Sequence, residues 1–133
     1  MKLYWGPHTC AIGIHILLEE IGRPYETEKI DVGGGATHSP AFMAINPKGK
    51  VPTLVRDDGS VLSEFAAIAT WLARTNPDKG LIPDDPESEA RLIETVDTSR
   101  ARFTARASRA CSCRSASSPR TSSTRRRGSA RHR

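Results

Sequence analysis

Acidic residues are missing from the last stretch of this chain: all fifteen Asp and Glu precede Thr98, and from Thr98 onward there are eleven Arg, no Lys and no acid. The leading part holds nine Lys and Arg, so it bears a net −6 against +11 for the remainder, and the overall +5 describes neither. The same final stretch has one aromatic, Phe103, and no Leu, Ile or Val. A segment so poor in apolar surface cannot offset the entropy of ordering, which predicts a disordered, low-complexity basic tail over 98–133. Cysteine is scarce. Cys10 stands alone, and Cys111 and Cys113 are too close together and too few for the disulfide framework of a small secreted domain. No apolar run approaches the roughly 20 residues that a membrane span needs. The N-terminus, Met1-Lys2-Leu3-Tyr4-Trp5, is too short and polar for a secretory signal. A cytoplasmic protein without membrane contact or a bound metal is the expectation.

What is present lies mainly in residues 1–97, just under the usual domain size of roughly 100–150 residues. Lys2 to Trp5 followed by Gly6-Pro7 reads as a short buried strand with a firm stop. From Cys10, the positions Ile14, Leu17, Leu18 and Ile21 form one helical face, with Glu19 and Glu20 off it and Gly22 and Pro24 ending it. Tyr25 to Val32 reads as a second strand running into the flexible loop Gly33-Gly34-Gly35. Strand, helix, strand implies a parallel pair with a right-handed crossover. Ser39-Pro40 predicts a cap and first position of a short helix that Asn46-Pro47 breaks. Two strands, Val51 to Arg56 and Val61 to Ser63, flank the turn Asp57-Asp58-Gly59-Ser60. Ser63 is the expected cap of a further helix with Phe65, Ile68, Ala69 and Leu72 inward, ending near Asn76-Pro77. Leu81 to Pro86 is read as a linker, and Glu87 to Val96 begins another helix with Leu92, Ile93 and Val96 inward. The fold class is α/β, a βαβ unit followed by ββα on one four-stranded mixed sheet.

Three places carry chemistry. Cys10 falls at a helix N-terminus, where unpaired amides and the helix dipole favour a thiolate. Val51-Pro52 opens a strand with a residue that cannot donate to a sheet, leaving the backbone around Val51 available to a ligand; a cis bond there would be a deliberate feature. Glu64 beside Ser63 offers a carboxylate and helix-start amides together, suited to a zwitterionic group. His8 and Thr9, beside Cys10, are candidate donors to a thiolate, and Trp5 and Trp71 are expected to be packing residues.

Met1-Lys2-Leu3-Tyr4, Cys10, His15, the run Ala44-Ile45-Asn46-Pro47-Lys48-Gly49-Lys50-Val51-Pro52-Thr53-Leu54 and Glu64-Phe65-Ala66-Ala67-Ile68 together resemble the N-terminal domain of bacterial glutathione transferases, most nearly the cysteine-containing beta-type branch. The resemblance implies a thioredoxin-like glutathione-binding domain over 1–76, then a linker and first helix of an all-helical domain over 77–97. It implies that Val51 pairs through its backbone with the cysteinyl part of glutathione, with cis-Pro52 holding it in place. Glu64 and the amide of Phe65 would take the γ-glutamyl end, Lys50 would approach the glycyl carboxylate, and Cys10 would lie near the sulfur. Glutathione would be the co-substrate, a small electrophile its partner, and a homodimer the assembly of the full-length family. Three places depart from the pattern: glycines replace the lysine usual after the second strand, Phe65 replaces a Ser or Thr, and His8 and Thr9 are unusual beside Cys10.

The tail has two readings. One is an arm for nucleic acid, each Arg neutralising a phosphate, although it has no aromatic interleaving. The other is GC-rich coding sequence read out of frame, since a one-base shift can restore an apolar, aromatic stretch suited to a helix. The second is the expectation, so a nucleic-acid partner is not. The sequence therefore predicts a glutathione transferase-like enzyme with a truncated helical domain, impaired by that loss and with apolar surface left exposed. A monothiol glutaredoxin-like oxidoreductase and a non-catalytic module with a basic arm are the alternatives. The glutaredoxin reading lacks a resolving cysteine in Cys10-Ala11-Ile12-Gly13.

Overall fold

The structure of the protein is a computed structural model, and it describes residues 1–99. The elements are strand β1 (Lys2–Trp5), helix α1 (Ala11–Ile21), strand β2 (Glu26–Lys29), helix α2 (Pro40–Ile45), strands β3 (Thr53–Val55) and β4 (Val61–Ser63), and helix α3 (Phe65–Arg74). Residues 86–99 form a further helix, α4. The expected disorder of 98–133 is contradicted at its start, because 98 and 99 are helical. Residues 100–133 lie outside the described residues. Among the described residues no helix is long and apolar enough to cross a membrane.

The sheet order is β2-β1-β3-β4, with β1 and β2 parallel and the other two pairs antiparallel. β1 and β3 are central, and side chains alternate across the sheet. Leu3 and Leu54 enter one core with Ile14, Leu18 and Ile21 of α1 and Ile68 and Leu72 of α3. Tyr4 enters a smaller core on the opposite face with Ile30 and Phe42 of α2, its ring edge-on to Phe42 at 5.8 Å. Both predicted helical faces are the buried ones, and Trp5 and Trp71 pack against the larger core. Gly22, at φ 75°, ends α1 by donating its N–H to the Leu18 carbonyl (3.0 Å), the left-handed stop that glycine adopts without penalty. Ser39 caps α2 as expected, accepting from Phe42 N (3.3 Å) with Pro40 behind it.

Three expectations need correction. β2 is shorter than Tyr25 to Val32, because it is an exposed edge strand whose ladder with β1 ends where β1 ends, at the pair Trp5 and Lys29. The glycine loop after it is structured, not merely flexible. Gly34 N donates to Asp31 Oδ1 (2.9 Å), and Gly35, at φ 80°, starts a short 3₁₀ turn, Ala36–His38. The third concerns α4, whose start is Asp85-Pro86, not Glu87. Asp85 accepts from Ser88 N (2.8 Å), and its bonds to Ser88 hold its carboxyl below the usual carboxylate range, with Pro86 at the first helical position. α4 sits on α1 and α3, where Leu92, Ile93 and Val96 share a cavity of about 140 Å³ with Leu17, Ala66 and Ala69. An Arg74–Glu89 ion pair also joins α3 to α4.

A polar relay links α1 to the start of β2. Tyr25 OH donates to Glu19 and lies 3.0 Å from His15 Nδ1, with His15 edge-on to the Trp5 ring at 5.4 Å. Burial and the Glu19 carboxylate push the Tyr25 phenol up from 10.0 to about 12. Below pH 10.0 both folded and unfolded chains hold the proton and the contribution to stability is complete. Between there and about pH 12 the unfolded chain alone ionises, so stability should fall as pH rises through that window. Urea midpoints measured across it should show this fall, and Tyr25→Phe should flatten it.

Candidate functional site

The register brings the sequence-predicted residues to one end of the sheet. Tyr4 pairs with Thr53, and Thr53 pairs with Ser63. One residue further along, the chain is therefore leaving β1 toward Cys10, entering β3 from Val51-Pro52, and leaving β4 into Glu64. This end is the carboxyl side of β1, where the connections diverge toward β2 on one side and β3 on the other. Open α/β sheets form ligand crevices at such switch points, because the diverging loops leave a gap between them.

Cys10 is half-buried and occupies the N-cap of α1 with no side-chain cap bond. Thr9 supplies the cap function: its hydroxyl accepts from Ala11 N (3.3 Å) and donates to the Gly6 carbonyl (2.7 Å). The expected donation from Thr9 to a thiolate is thus corrected, since its one proton is already directed at Gly6. His8 is exposed and holds a left-handed backbone, φ 58°.

The Val51-Pro52 bond is cis, as the sequence reading held. Val51 stands two residues ahead of Thr53, where both ladders of β3 begin, so neither ladder includes it. The segment is held from beneath by Asn46, a residue not singled out as functional. Asn46 is buried; its Nδ2 donates to the Lys50 carbonyl (2.9 Å) and to Thr53 Oγ1 (2.8 Å), while its Oδ1 accepts from Lys48 N (3.1 Å). Thr53 Oγ1 also donates to the Lys50 carbonyl (2.8 Å). An Asn directly before a proline reads as a helix breaker, and that role concealed this one. Removing its side chain deletes three hydrogen bonds of this segment and leaves the Lys50 carbonyl held by the Thr53 hydroxyl alone. Asn46→Ala should cost about 1–3 kcal/mol in a urea titration and loosen whatever binds at Val51. Gly49, buried and at φ 61°, holds a backbone conformation that strains any residue with a side chain. A Cβ there would lie 3.1 Å from the His38 ring and 3.2 Å from the Thr37 carbonyl. Gly49→Ala should destabilise by about 1–3 kcal/mol on thermal melting.

Glu64, not Ser63, is the N-cap of α3, which corrects the capping expectation: Ser63 is the last residue of β4 and its chain direction is set by pairing with Thr53. Glu64 has φ 77° and ψ 130°, with no side-chain cap bond. A non-glycine residue there is strained, and such strain persists where the surroundings enforce it. Its exposed carboxylate lies 3.7 Å from Lys48 Nζ. Lys48 is therefore the lysine that pairs with Glu64, while Lys50 extends its side chain into solvent without an ion pair among the described residues. The Phe65 ring lies against α1, so that a Cβ at Gly13 would come within 2.8 Å of two of its atoms. Its backbone N–H, the first of α3, precedes the bond from Ile68 N to the Glu64 carbonyl (3.0 Å). The site thus combines a carboxylate, a helix-start amide, the backbone leading into β3 and a thiol-bearing loop at one sheet end. Among the described residues no group of three or more His, Cys, Asp or Glu could hold a metal.

Residues 9–75 match the family of the glutathione S-transferase N-terminal domain. The glutathione S-transferase GstA of Escherichia coli O157:H7 is 36% identical over 99 residues, covering 73% of this chain and 49% of that protein. The maleylacetoacetate isomerase of Pseudomonas aeruginosa is 34% identical over 94 residues, 68% of this chain and 44% of its own. Among solved structures, the beta-class glutathione S-transferase of Sphingomonas chungbukensis superposes with a TM-score of 0.64 at 37% identity, covering 72% of this chain and 49% of that one. A sphingomonad glutathione S-transferase complexed with glutathione gives 0.63 at 36%, covering 73% and 49%. The chain spans about half the length of the curated relatives it matches. With its thioredoxin-like sheet and the matched residues 9–75, the chain belongs to the glutathione S-transferase family.

Proposed function

We propose that this chain binds glutathione at the carboxyl end of β1 and presents its sulfur to a small electrophile, the transferase activity its relatives' names carry. In this reading Val51 pairs through its backbone with the cysteinyl part and Pro52 holds that segment. Glu64 and the Phe65 amide take the γ-glutamyl end, and Lys50 approaches the glycyl carboxylate. Cys10 at the start of α1 hydrogen-bonds the glutathione thiolate. The thiolate lone pair attacks the electrophilic carbon and a carbon–sulfur bond forms. The electron pair displaced at that carbon leaves with the leaving group or onto the acceptor, and the thiol proton passes to solvent. A cytoplasmic location and the domain division at residue 76 belong to the same proposal.

The observation that supports this reading is the row through Tyr4, Thr53 and Ser63, since the segments bearing Cys10, Val51 and Glu64 all leave or enter the sheet at that end. Calorimetric titration of the full chain with reduced glutathione should show saturable binding; a natively folded chain that takes up none would remove the proposal. The position of Cys10 at a helix start also supports thiol exchange, in which its thiolate attacks oxidised glutathione, forming a mixed disulfide and releasing one reduced glutathione. Mass spectrometry separates the two readings. Under exchange, peptide mapping should place a glutathionyl group on Cys10 of the wild-type chain, and Cys10→Ala, which keeps Cys111 and Cys113, should gain one group fewer while still binding reduced glutathione.

A further inference from the structure

The loop that leads into β3 brings a cation to the carboxylate at the start of α3. Lys48 Nζ lies 3.7 Å from Glu64 Oε1, and both side chains are about half exposed, at 57% and 48%, so a ligand can reach either ion. The pair is fixed from the backbone side. Lys48 N donates to Asn46 Oδ1 (3.1 Å), and Gly49 turns the chain directly after it at φ 61°. Glu64 spends no side-chain bond on capping α3, and its left-handed backbone, φ 77°, is where the chain turns from β4 into that helix. Phe65 adds no polar side-chain group there. Its ring lies against Gly13 of α1, which leaves the backbone N–H as its only donor at the helix start.

An α-amino acid head carries an ammonium and a carboxylate on one carbon, so a receptor for it needs an anion and a cation side by side. Lys48 and Glu64 are such a couple. Glu64 answers only the ammonium of a γ-glutamyl head, and the Phe65 amide is a neutral donor to its carboxylate, whereas a charge-assisted bond is roughly twice as strong. Resting on the glutathione reading, we propose that Lys48 selects the γ-glutamyl head by its α-carboxylate, pairing with it while the ligand ammonium takes the place of Lys48 beside Glu64. Opening the existing pair sacrifices little, because an exposed ion pair contributes little in water. Lys50, assigned to the glycyl end, has no part in this selection.

Calorimetry on the full chain with two probes tests this: reduced glutathione, and the analogue in which γ-aminobutanoyl replaces γ-glutamyl, identical but for the α-carboxylate. The wild-type chain should prefer glutathione by at least about tenfold. Lys48→Met should bind glutathione about 5- to 10-fold more weakly and the analogue no more weakly than the wild type does, so that most of the preference disappears. Lys48→Arg, which keeps the charge, should retain most of it. Lys50→Met should weaken both probes by the same factor and leave the preference intact. Lys48 is exposed, so its variants should melt with the wild type. A folded wild-type chain that binds neither probe would remove the glutathione reading, and this role with it. If the wild type binds glutathione, the role of Lys48 alone is overturned by any of three results: Lys48→Met keeps the preference, binds glutathione as well or better, or loses no more of the preference than Lys50→Met does.

Discussion

Replacing Glu64 by glycine should make the chain more stable and a poorer glutathione binder at once. The side chain has no cap bond to lose, and its backbone holds φ 77°, a conformation that strains any residue with a Cβ. Glycine relieves that strain and is acceptable at an N-cap, so thermal unfolding should shift upward by the equivalent of about 1 kcal/mol. For a domain of this size that is roughly 4–8 °C. The carboxylate, in the proposed function, receives the charged γ-glutamyl end. A charge-assisted bond is worth about 1.5–3 kcal/mol, so glutathione affinity should fall roughly 10- to 150-fold by calorimetry. Glu64→Gln, which keeps the strained backbone, should lose affinity without the thermal gain. If Glu64→Gly melts lower than the wild type, strain at this position is not the cost inferred from its backbone.

The largest loss of stability should come from Leu54→Ala. Leu54 is fully buried in the central strand β3, paired with Leu3 on one side and Leu62 on the other, and its side chain joins the helices α1 and α3 across the main core. Truncating such a residue costs about 2–5 kcal/mol, because the cavity left behind closes only partly. Domains have about 5–15 kcal/mol in total, so the variant should unfold at a far lower urea concentration. It should also lose glutathione binding, since β3 carries the Val51 segment. Val61→Ala, on the exposed edge strand, should shift the midpoint by much less. Equal shifts for the two would contradict the placement of the core in the sheet interior.

Local rules were enough wherever a residue acts on its immediate neighbours. The i, i+3, i+4, i+7 faces of α1 and α3, the Ser39-Pro40 start and the hairpin turn followed from periodicity and cap chemistry. The proposed grouping of Cys10, Val51 and Glu64 rests on family resemblance, since no local rule joins residues 10, 51 and 64. The pairing of Lys48 with Glu64 was hidden for a similar reason. Alternate lysines on a loop are equivalent until the chain's path decides which one faces the carboxylate.

By itself the sequence determined the α/β order of elements, the buried faces of the two long helices, the acidic body with its arginine-rich end and the family motifs, because these rest on side-chain type and spacing. Tertiary structure alone decided that Thr9 caps α1 instead of serving the thiol and that Asn46 braces the Val51 segment. It also decided that Glu64, not Ser63, opens α3 at a strained backbone angle. The Thr9 and Asn46 bonds reach only two to seven residues along the chain and turn on which of several nearby partners the folded backbone presents, whereas the Glu64 turn follows from the pairing of β4 with β3.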